Sequence, residues 1–413
     1  METVMTLFSE LKLPNGSVIP NRVAKAAMEE NLADANLLPS TQLFNLYKAW
    51  ADGGVGLIIS GNVMVDSKAM TGPGGVVLEN DKHLALFQQW AKIGQANGGQ
   101  FWLQINHPGR QMPASLQQQT WAPSAVEMDM GKMSSYFSAP KAMDEAKIQD
   151  IITRFVKTAT LAEKAGFSGV EVHAAHGYLL SQFLSPLTNK RSDQWGGSLA
   201  NRARLLIEIV KQIKAATSEH FAVAVKLNSA DFQRGGFTLD DAKQVVVMLG
   251  ELNVDLVELS GGSYEAPAMQ GSARDGRTLA REAYFLEFAK EIREIATMPI
   301  MITGGIKRKS VADQVIAEGV DMVGIATALA IEPALVDKWR NGSHVTPELA
   351  AITWKNKPLA SVANMAMVKY QLTRLGKNKQ ANPNVWPIWA FIKQQINDVF
   401  RVKRYLKFIR SNG

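Results

Sequence analysis

Eight short apolar runs, rich in β-branched residues, alternate with longer segments of helical periodicity over about the first 340 residues of this chain of 413. Continuous apolar runs indicate strands buried on both faces, and a helix between consecutive strands makes the sheet parallel. Eight such units predict a closed (β/α)₈ TIM barrel, an α/β fold. The predicted strands begin at about Arg22, Val55, Gln100, Gly169, Ala222, Val254, Pro299 and Asp321.

The segments between these runs are typical of amphipathic helices. Asp144 to Ala165 has apolar residues at intervals of three or four, and Asp240 to Leu252 and Arg281 to Ala296 are similar. A doubly wound sheet is less favoured, because no G-x-G-x-x-G motif opens a helix after the first strand. We therefore assign residues 1–343 to a barrel domain and residues 344–413 to a helical, basic C-terminal extension.

One connection is too long for a simple loop between a strand and a helix. About 37 residues with four prolines separate the third predicted strand from the helix near Asp144. We expect residues 106–143 to form a lid or a small hairpin over the barrel mouth; a surface insertion without a role is the alternative. This lid and the loop from Tyr264 to Arg277 are expected to select the substrate.

The positive charge of the chain is concentrated at its C-terminal end. The chain has 45 Lys+Arg and 38 Asp+Glu, a formal charge of +7. Residues 369–413 hold ten basic residues and one acid, a charge of +9, so residues 1–368 carry +7 − 9 = −2. A nearly neutral barrel predicts no nucleic-acid partner.

The basic end has the pattern of an amphipathic helix or helix pair between Trp386 and Ile409. We expect it to pack on the barrel or on a second subunit of a homo-oligomer. Binding to an anionic membrane surface or to an acidic partner is the less favoured alternative.

The chain contains no cysteine, which excludes disulfides, Cys-ligated metals and thiol nucleophiles. Its N-terminus lacks the basic residues of a signal peptide, and no apolar run reaches about 18 residues. We therefore expect a cytoplasmic protein whose chemistry uses oxygen, nitrogen or a cofactor.

Active sites of this fold lie at the carboxyl ends of the strands. His173 and His176 lie there, with Tyr178 close by. Such a pair can bind a metal, be structural, or donate hydrogen bonds to a substrate oxygen. A metal needs further ligands that the other strand ends do not supply, so we favour paired donors to a carbonyl or phenolate oxygen, with no metal.

The remaining strand ends suggest a phosphate-bearing cofactor. Glycines and main-chain N–H groups after the seventh and eighth strands are typical of a phosphate cradle. Gln104 is suited to the edge of a nucleotide-like ring, and Lys226 would stabilise an anionic reduced ring. Formation of a Schiff base on Lys226 is the alternative.

Several motifs, in order along the chain, resemble the Old Yellow Enzyme family of FMN-dependent NAD(P)H oxidoreductases. The most specific is HAAHGYL at His173–Leu179, which FLSP follows. Others are LQINHPGR at Leu103–Arg110, WAPS at Trp121–Ser124 and MITGG at Met301–Gly305. The resemblance covers roughly residues 5–340 and implies FMN in the barrel mouth, with NADH or NADPH as the reductant.

The resemblance also implies a role for each site residue and a reaction. His173 and His176 hold the oxygen of an α,β-unsaturated carbonyl compound, an enone or enal, and Tyr178 is the proton donor. The implied reaction is reduction of the C=C bond by hydride from the reduced flavin, with protonation by Tyr178. The implied flavin-ring contacts are Ala26, Ala27, Met28, Glu29, Asn62, Gln104 and Lys226, and the implied phosphate contacts are Gly304, Gly305, Ala326 and Thr327.

Two positions depart from the family pattern. Glu29 stands where many members have Cys or Thr; an ionised carboxylate would disfavour the anionic reduced flavin, whereas a protonated one could donate a hydrogen bond to it. We therefore expect a pH-dependent flavin potential. Ala326-Thr327 replaces Gly-Arg, and Lys307 and Arg308 are candidates to supply the missing charge.

Two other functions stay open from the sequence. One is a lyase or aldolase that forms a Schiff base on Lys226. The other is a flavin-binding scaffold whose basic extension binds a membrane or a partner.

Overall fold

The computed structural model describes residues 5–268 and 282–412 and contains a closed barrel of eight parallel strands. The order around the barrel is β1-β8-β7-β6-β5-β4-β3-β2, and β1 also pairs with β2, which closes the sheet. This confirms the predicted TIM barrel. The strands are β1 (Val23–Lys25), β2 (Leu57–Met64), β3 (Gln100–Asn106), β4 (Gly169–Ala174), β5 (Ala222–Asn228), β6 (Leu256–Ser260), β7 (Ile300–Thr303) and β8 (Met322–Ile325).

Helices follow the strands and cover the outside of the barrel. The predicted helix near Asp144 is confirmed: the Asp144 carboxylate accepts a hydrogen bond from Lys147 N at 2.8 Å and caps α3. The predicted helix from Arg281 begins later, at Leu286, and Arg281 lies outside the described residues. The described helices are α1 (Thr41–Asp52), α2 (Leu84–Gly94), α3 (Glu145–Lys164), α4 (Leu179–Leu184), α5 (Leu199–Ala216), α6 (Leu239–Glu251), α7 (Leu286–Arg293), α8 (Lys309–Ala317), α9 (Thr327–Ile331), α10 (Leu335–Arg340), α11 (Lys357–Gly376) and α12 (Pro387–Asn412).

Apolar side chains fill the barrel interior near the amino-terminal ends of the strands. A two-stranded hairpin, Leu11–Lys12 with Val18–Ile19, packs its buried Leu11 and Ile19 against this layer. Burial of apolar surface stabilises the fold by about 25 cal/mol per Å². The side chains of Gln104, Glu171, Lys226 and Glu258 form a buried polar layer nearer the carboxyl ends of the strands. The apolar layer comprises Ala24, Leu57, Ile59, Trp102, Ala222, Ala224, Leu256, Met301 and Met322.

The long connection after β3 folds into short 3₁₀ turns and two short strands. Trp121–Ala122 and Lys141–Ala142 pair in parallel, so the expected small hairpin is not formed there. Phe137 reaches the loop after β6, where its ring centroid lies 6.3 Å from that of Tyr264. Arg110 forms an ion pair with Glu265 in the same loop. The segment 106–143 therefore lies beside the barrel mouth.

The basic end of the chain forms one long helix, α12, rather than a helix pair. Tyr405 is buried, and its hydroxyl donates to Ser67 O at 3.0 Å. Helix α11 packs against α1 and α12. The extension thus packs on the barrel, while the domain boundary at residues 343 and 344 stays a prediction. None of the described helices is long and apolar enough to span a membrane.

Candidate active site

His173, His176 and Tyr178 come together at the barrel mouth. His173 is the last residue but one of β4, and its ring centroid lies 5.0 Å from that of His176 and 4.9 Å from that of Tyr178. The chain can turn this sharply because His176 adopts the left-handed conformation, with φ of 61°. Gln111 Nε2 donates to His176 O at 3.0 Å and secures the turn. The structure therefore gathers the three predicted catalytic residues.

Both imidazoles are neutral donors or acceptors at neutral pH. Desolvation, with the nearby positive charge of Lys226, lowers the pKa of His173 and of His176 well below the usual range. His173 Nδ1 accepts a hydrogen bond from Ala175 N at 3.2 Å, so its Nε2 carries the proton and can donate. His176 Nε2 lies 2.7 Å from Ser260 Oγ.

The lowered histidine pKa values predict a flat pH profile. Because both rings stay neutral, their hydrogen bonding to a neutral carbonyl ligand, and therefore the Kd of that ligand, should vary by no more than about twofold between pH 6 and 8. The measurement is the pH dependence of this Kd in the wild type and in His173→Asn, which keeps an N–H donor. A Kd that changes with an apparent pKa between 6 and 7, in the wild type alone, would contradict the assignment.

Tyr178 has a hydroxyl partner that the sequence did not single out. Its Oη lies 2.8 Å from the Oη of Tyr264, in the loop after β6. Burial, then the neighbouring Tyr264 and Glu29, raises the pKa of Tyr178 well above its usual value. Tyr178 is therefore a neutral phenol that retains its proton for transfer. Residues 269–277 of the predicted substrate loop lie outside the described residues.

A buried polar network lies below the histidines. Lys226 Nζ forms an ion pair with Glu258 Oε1 at 2.6 Å, and Gln104 Nε2 donates to Glu171 Oε2 at 2.6 Å. Strand register explains these contacts, because Lys226 is level with Glu258 and Gln104 is level with Glu171. The sequence identified Lys226 and Gln104 but missed both carboxyl partners.

One proton on Glu171 completes this network. Burial, then repulsion from Glu258 and a hydrogen bond with it, raises the pKa of Glu171 well above the usual range. Glu171 Oε1 and Glu258 Oε2 have no other partner among the described residues. A proton on Glu171 donated to Glu258 satisfies both oxygens. A neutral Glu171 then leaves the ion pair of Lys226 with Glu258 without a third charge beside it.

Glu29 is held ionised by the C-terminal extension. Lys369 Nζ, on α11, lies 3.0 Å from Glu29 Oε2, and Thr71 Oγ1 donates to Glu29 Oε1 at 2.6 Å. Burial alone opposes ionisation, but the charge of Lys369 and these hydrogen bonds outweigh it and lower the pKa of Glu29. The protonated form considered from the sequence is therefore not favoured near neutral pH. The expected pH dependence of the flavin potential therefore has no basis in the titration of Glu29 near neutral pH.

Removal of Lys369 tests this ion pair. Lys369→Met should destabilise the protein by about 0.5–1 kcal/mol at pH 7, because the pair is mostly shielded from water. The folded pKa of Glu29 is lowered, so the stabilisation is present above the unfolded pKa of about 4.3 and is lost as pH falls through the folded pKa. Thermal unfolding between pH 7 and 3.5 should show the difference narrowing in acid. Lys379→Met, at an exposed position, is the control; an equal effect of both substitutions would contradict the account.

The two basic residues proposed to replace the missing arginine are engaged elsewhere. Lys307 Nζ forms an ion pair with Glu348 at 2.6 Å, and Arg308 Nε forms one with Glu282 at 2.8 Å. The structure therefore does not support the expectation that they supply charge to a phosphate group.

A model of the NADH:flavin oxidoreductase / NADH oxidase family matches residues 6–345 of the chain. The chain belongs to this family. It is 37% identical over 350 residues to the NADH-dependent flavin oxidoreductase iliE of Neonectria sp. (strain DH2), an alignment that spans 79% of this chain and 46% of that protein. It is 31% identical over 330 residues to an NADPH dehydrogenase of Halalkalibacterium halodurans (strain ATCC BAA-125 / DSM 18197 / FERM 7344 / JCM 9153 / C-125), spanning 77% of this chain and 89% of that protein.

The fold matches that of an Old Yellow Enzyme homologue from Zymomonas mobilis. The TM-score is 0.71 with 22% identity, over 86% of this chain and 98% of that chain. The predicted Old Yellow Enzyme resemblance, the class of flavin oxidoreductases and the cofactors FMN and NADH or NADPH are thus confirmed at the level of the family.

The residues at the mouth of this flavin oxidoreductase fit the ring of FMN. Lys226 uses one N–H for Glu258 and keeps two for a ligand, and Gln104 and Asn62 supply amide groups. Ala27 and Met28, after the end of β1, are partly exposed, and Ala26 is buried. An ammonium and two amides suit the carbonyl and N–H groups of a flavin.

The predicted phosphate end is formed by residues that are at least partly exposed. Gly305 has φ of 73°, and a Cβ there would meet the Tyr284 ring at 2.7 Å, so glycine is required. Gly305 and Thr327 are exposed, and Gly304 and Ala326 are partly exposed. The fit at this end rests on main-chain N–H groups, without a guanidinium at Thr327.

Proposed function

We propose that this chain is an FMN-dependent NAD(P)H oxidoreductase that reduces the C=C bond of α,β-unsaturated carbonyl compounds. The observation that carries the proposal is the gathering of two neutral imidazoles and a neutral phenol at one barrel mouth. Donors for an oxygen and a proton for a carbon are what such a reduction requires from the protein. When bound, FMN supplies the hydride that it receives from NADH or NADPH.

The protein residues orient the substrate and control its protonation. Nε2–H of His173 donates to the carbonyl oxygen. When the Ser260 hydroxyl donates to Nε2 of His176, the proton of that imidazole is on Nδ1, and this N–H is the second donor. These donors polarise the double bond and stabilise the negative charge that develops on oxygen. Tyr178 then transfers its phenolic proton to the α-carbon, and Tyr264 holds that hydroxyl in place.

Two contacts join the segment 106–143 to the loop after β6. Arg110 is buried and forms an ion pair with Glu265, and Asp129 N donates to Glu265 Oε1 at 2.7 Å. These contacts tie the lid to the loop that carries Tyr264. We infer that the two segments together select an enone, an enal or a related small electrophile.

The buried ion pair of Lys226 argues against the Schiff-base alternative. An ammonium paired with Glu258 at 2.6 Å has no free lone pair for attack on a carbonyl. Borohydride reduction in the presence of a carbonyl substrate should therefore leave Lys226 unmodified.

A spectroscopic titration tests the proposed function. The purified protein should show the visible spectrum of oxidised FMN, lose it on anaerobic addition of NADH or NADPH, and regain it on addition of 2-cyclohexen-1-one. A reduced flavin that dioxygen reoxidises but no enone or enal does would contradict ene-reduction while leaving the family intact. The two reductants, added separately, also decide which nicotinamide is used.

A further inference from the structure

The outer face of α12 is an apolar and basic surface that the barrel leaves uncovered. Its apolar side chains are between 44% and 58% exposed, and Trp386, just before the helix, is 76% exposed. A run of large exposed apolar residues on one face is unusual for a soluble protein and marks an interaction site. The outer face of α12 comprises Ile388, Trp389, Ile392, Ile396, Val399 and Phe400, followed by Lys403, Arg404, Lys407 and Arg410.

The opposite side of the same helix holds it on the protein. Ala390 packs with Met367 of α11, and Tyr405 packs with Met112 and Leu116 of the lid. The aliphatic part of Arg401 lies against Gly74, where a Cβ would come within 3.2 Å of Arg401 Cδ. The helix therefore does not need its outer face for folding, and that face stays free for a partner.

The charges on this face select the partner. Its four basic residues are exposed, and no acidic residue lies among them. Asp398, the one acid of α12, is paired with Arg401 at 3.0 Å and hydrogen-bonded to Gln394. A second copy of the chain would present the same positive charges, which disfavours pairing through this face.

We propose that the outer face of α12 docks the enzyme on the surface of an anionic phospholipid bilayer. Tryptophan, isoleucine and phenylalanine can enter the boundary between headgroups and acyl chains, while the lysine and arginine side chains reach lipid phosphates. The helix has 26 residues, a length of about 39 Å at 1.5 Å per residue, so it can lie along the membrane plane. The proposal does not depend on the reaction at the barrel mouth.

Co-sedimentation of the FMN-loaded full chain with vesicles tests the proposal. We expect binding to phosphatidylcholine vesicles that contain about a third phosphatidylglycerol to be at least about tenfold stronger than binding to pure phosphatidylcholine. Binding should fall steeply at about 0.5 M NaCl. Equal binding to both vesicles, or no binding to either, would overturn the proposal.

Matched variants separate this face from the rest of the surface. Ile392→Glu with Ile396→Glu, and separately Lys403→Glu with Lys407→Glu, should each weaken binding at least about tenfold. The controls are Val247→Glu, at an apolar position of α6 with 45% exposure, and Lys157→Glu with Lys211→Glu at exposed positions. An unchanged flavin spectrum and melting temperature show that each variant is folded. Equal losses of binding in the control variants would overturn the proposal. So would a wild type that does not bind vesicles and forms a dimer, if Ile392→Glu with Ile396→Glu converts that dimer to monomers.

Discussion

Tyr178→Phe should lower kcat for enone reduction by about 10² to 10⁴-fold, the usual contribution of a positioned general acid. The substitution removes a single hydroxyl, whose oxygen lies 2.8 Å from Tyr264 Oη, and leaves the neighbouring ring of His173 in place. Reduction of the flavin by NADH or NADPH needs no phenolic proton, so its rate should stay close to that of the wild type. Stopped-flow absorbance under anaerobic conditions measures the two half-reactions separately.

Tyr264→Phe is the matched control for this substitution. It removes the hydroxyl that holds Tyr178 but leaves the proton donor itself, so the loss should be that of one neutral hydrogen bond, about 1 kcal/mol or roughly fivefold in rate. If Tyr178→Phe stayed within about twofold of the wild type, or if both substitutions had the same effect, Tyr178 would not be the acid.

Glu258→Gln should lower the free energy of unfolding by about 3–5 kcal/mol, the usual effect of leaving one partner of a buried ion pair without its counter-charge. Lys226 and Glu258 are both buried, so water cannot replace the lost carboxylate charge. Urea unfolding at pH 7 provides the comparison, and the FMN affinity of each variant is measured as well, because stabilisation by a bound ligand depends on that affinity.

Glu171→Gln is an unusually close control, because the account places a protonated carboxyl at this position. A glutamine amide can accept from Gln104 Nε2 and donate to Glu258, as the protonated Glu171 does. We therefore expect a loss of no more than about 1 kcal/mol. Equal destabilisation by Glu171→Gln and Glu258→Gln would mean that both carboxyls are ionised, or that neither is.

The barrel and the grouping of His173, His176 and Tyr178 were predictable because their signals are local. Each strand is a continuous apolar run, and His173, His176 and Tyr178 lie within one turn and the start of α4. No contact between distant segments is needed to place them together. The beginning of α3 was predicted correctly for the same reason. Asp144 caps this helix and directly precedes its apolar periodicity in the sequence.

The partners of these residues were not predictable in the same way. Tyr264 is 86 residues from Tyr178 and Lys369 is 340 residues from Glu29, so no local pattern joins either pair. The pairing of Lys226 with Glu258 could have been predicted from the sequence. In a parallel barrel, charged residues at the same level of neighbouring strands face the same interior, and a lysine there predicts a carboxylate beside it.

The expectation for Glu29 changed because its surroundings come from outside the barrel. From the sequence, Glu29 was an isolated carboxylate beside a flavin, free to be protonated. Helix α11 instead supplies Lys369, which lowers the pKa of Glu29 and holds it ionised. The basic extension, which was expected to pack on the barrel, therefore also places a charge beside Glu29.

Isotopic labelling tests the central claim most directly. An enone reduced with NADH or NADPH in ²H₂O should carry deuterium at the α-carbon, because Tyr178 exchanges its phenolic proton with solvent and transfers it to that carbon. The same reduction in ordinary water with the nicotinamide deuterated at its transferable position should place the label at the β-carbon. Deuterium from solvent at the β-carbon alone, or reduction of the carbonyl group instead of the double bond, would contradict the proposed roles of Tyr178 and the histidine pair.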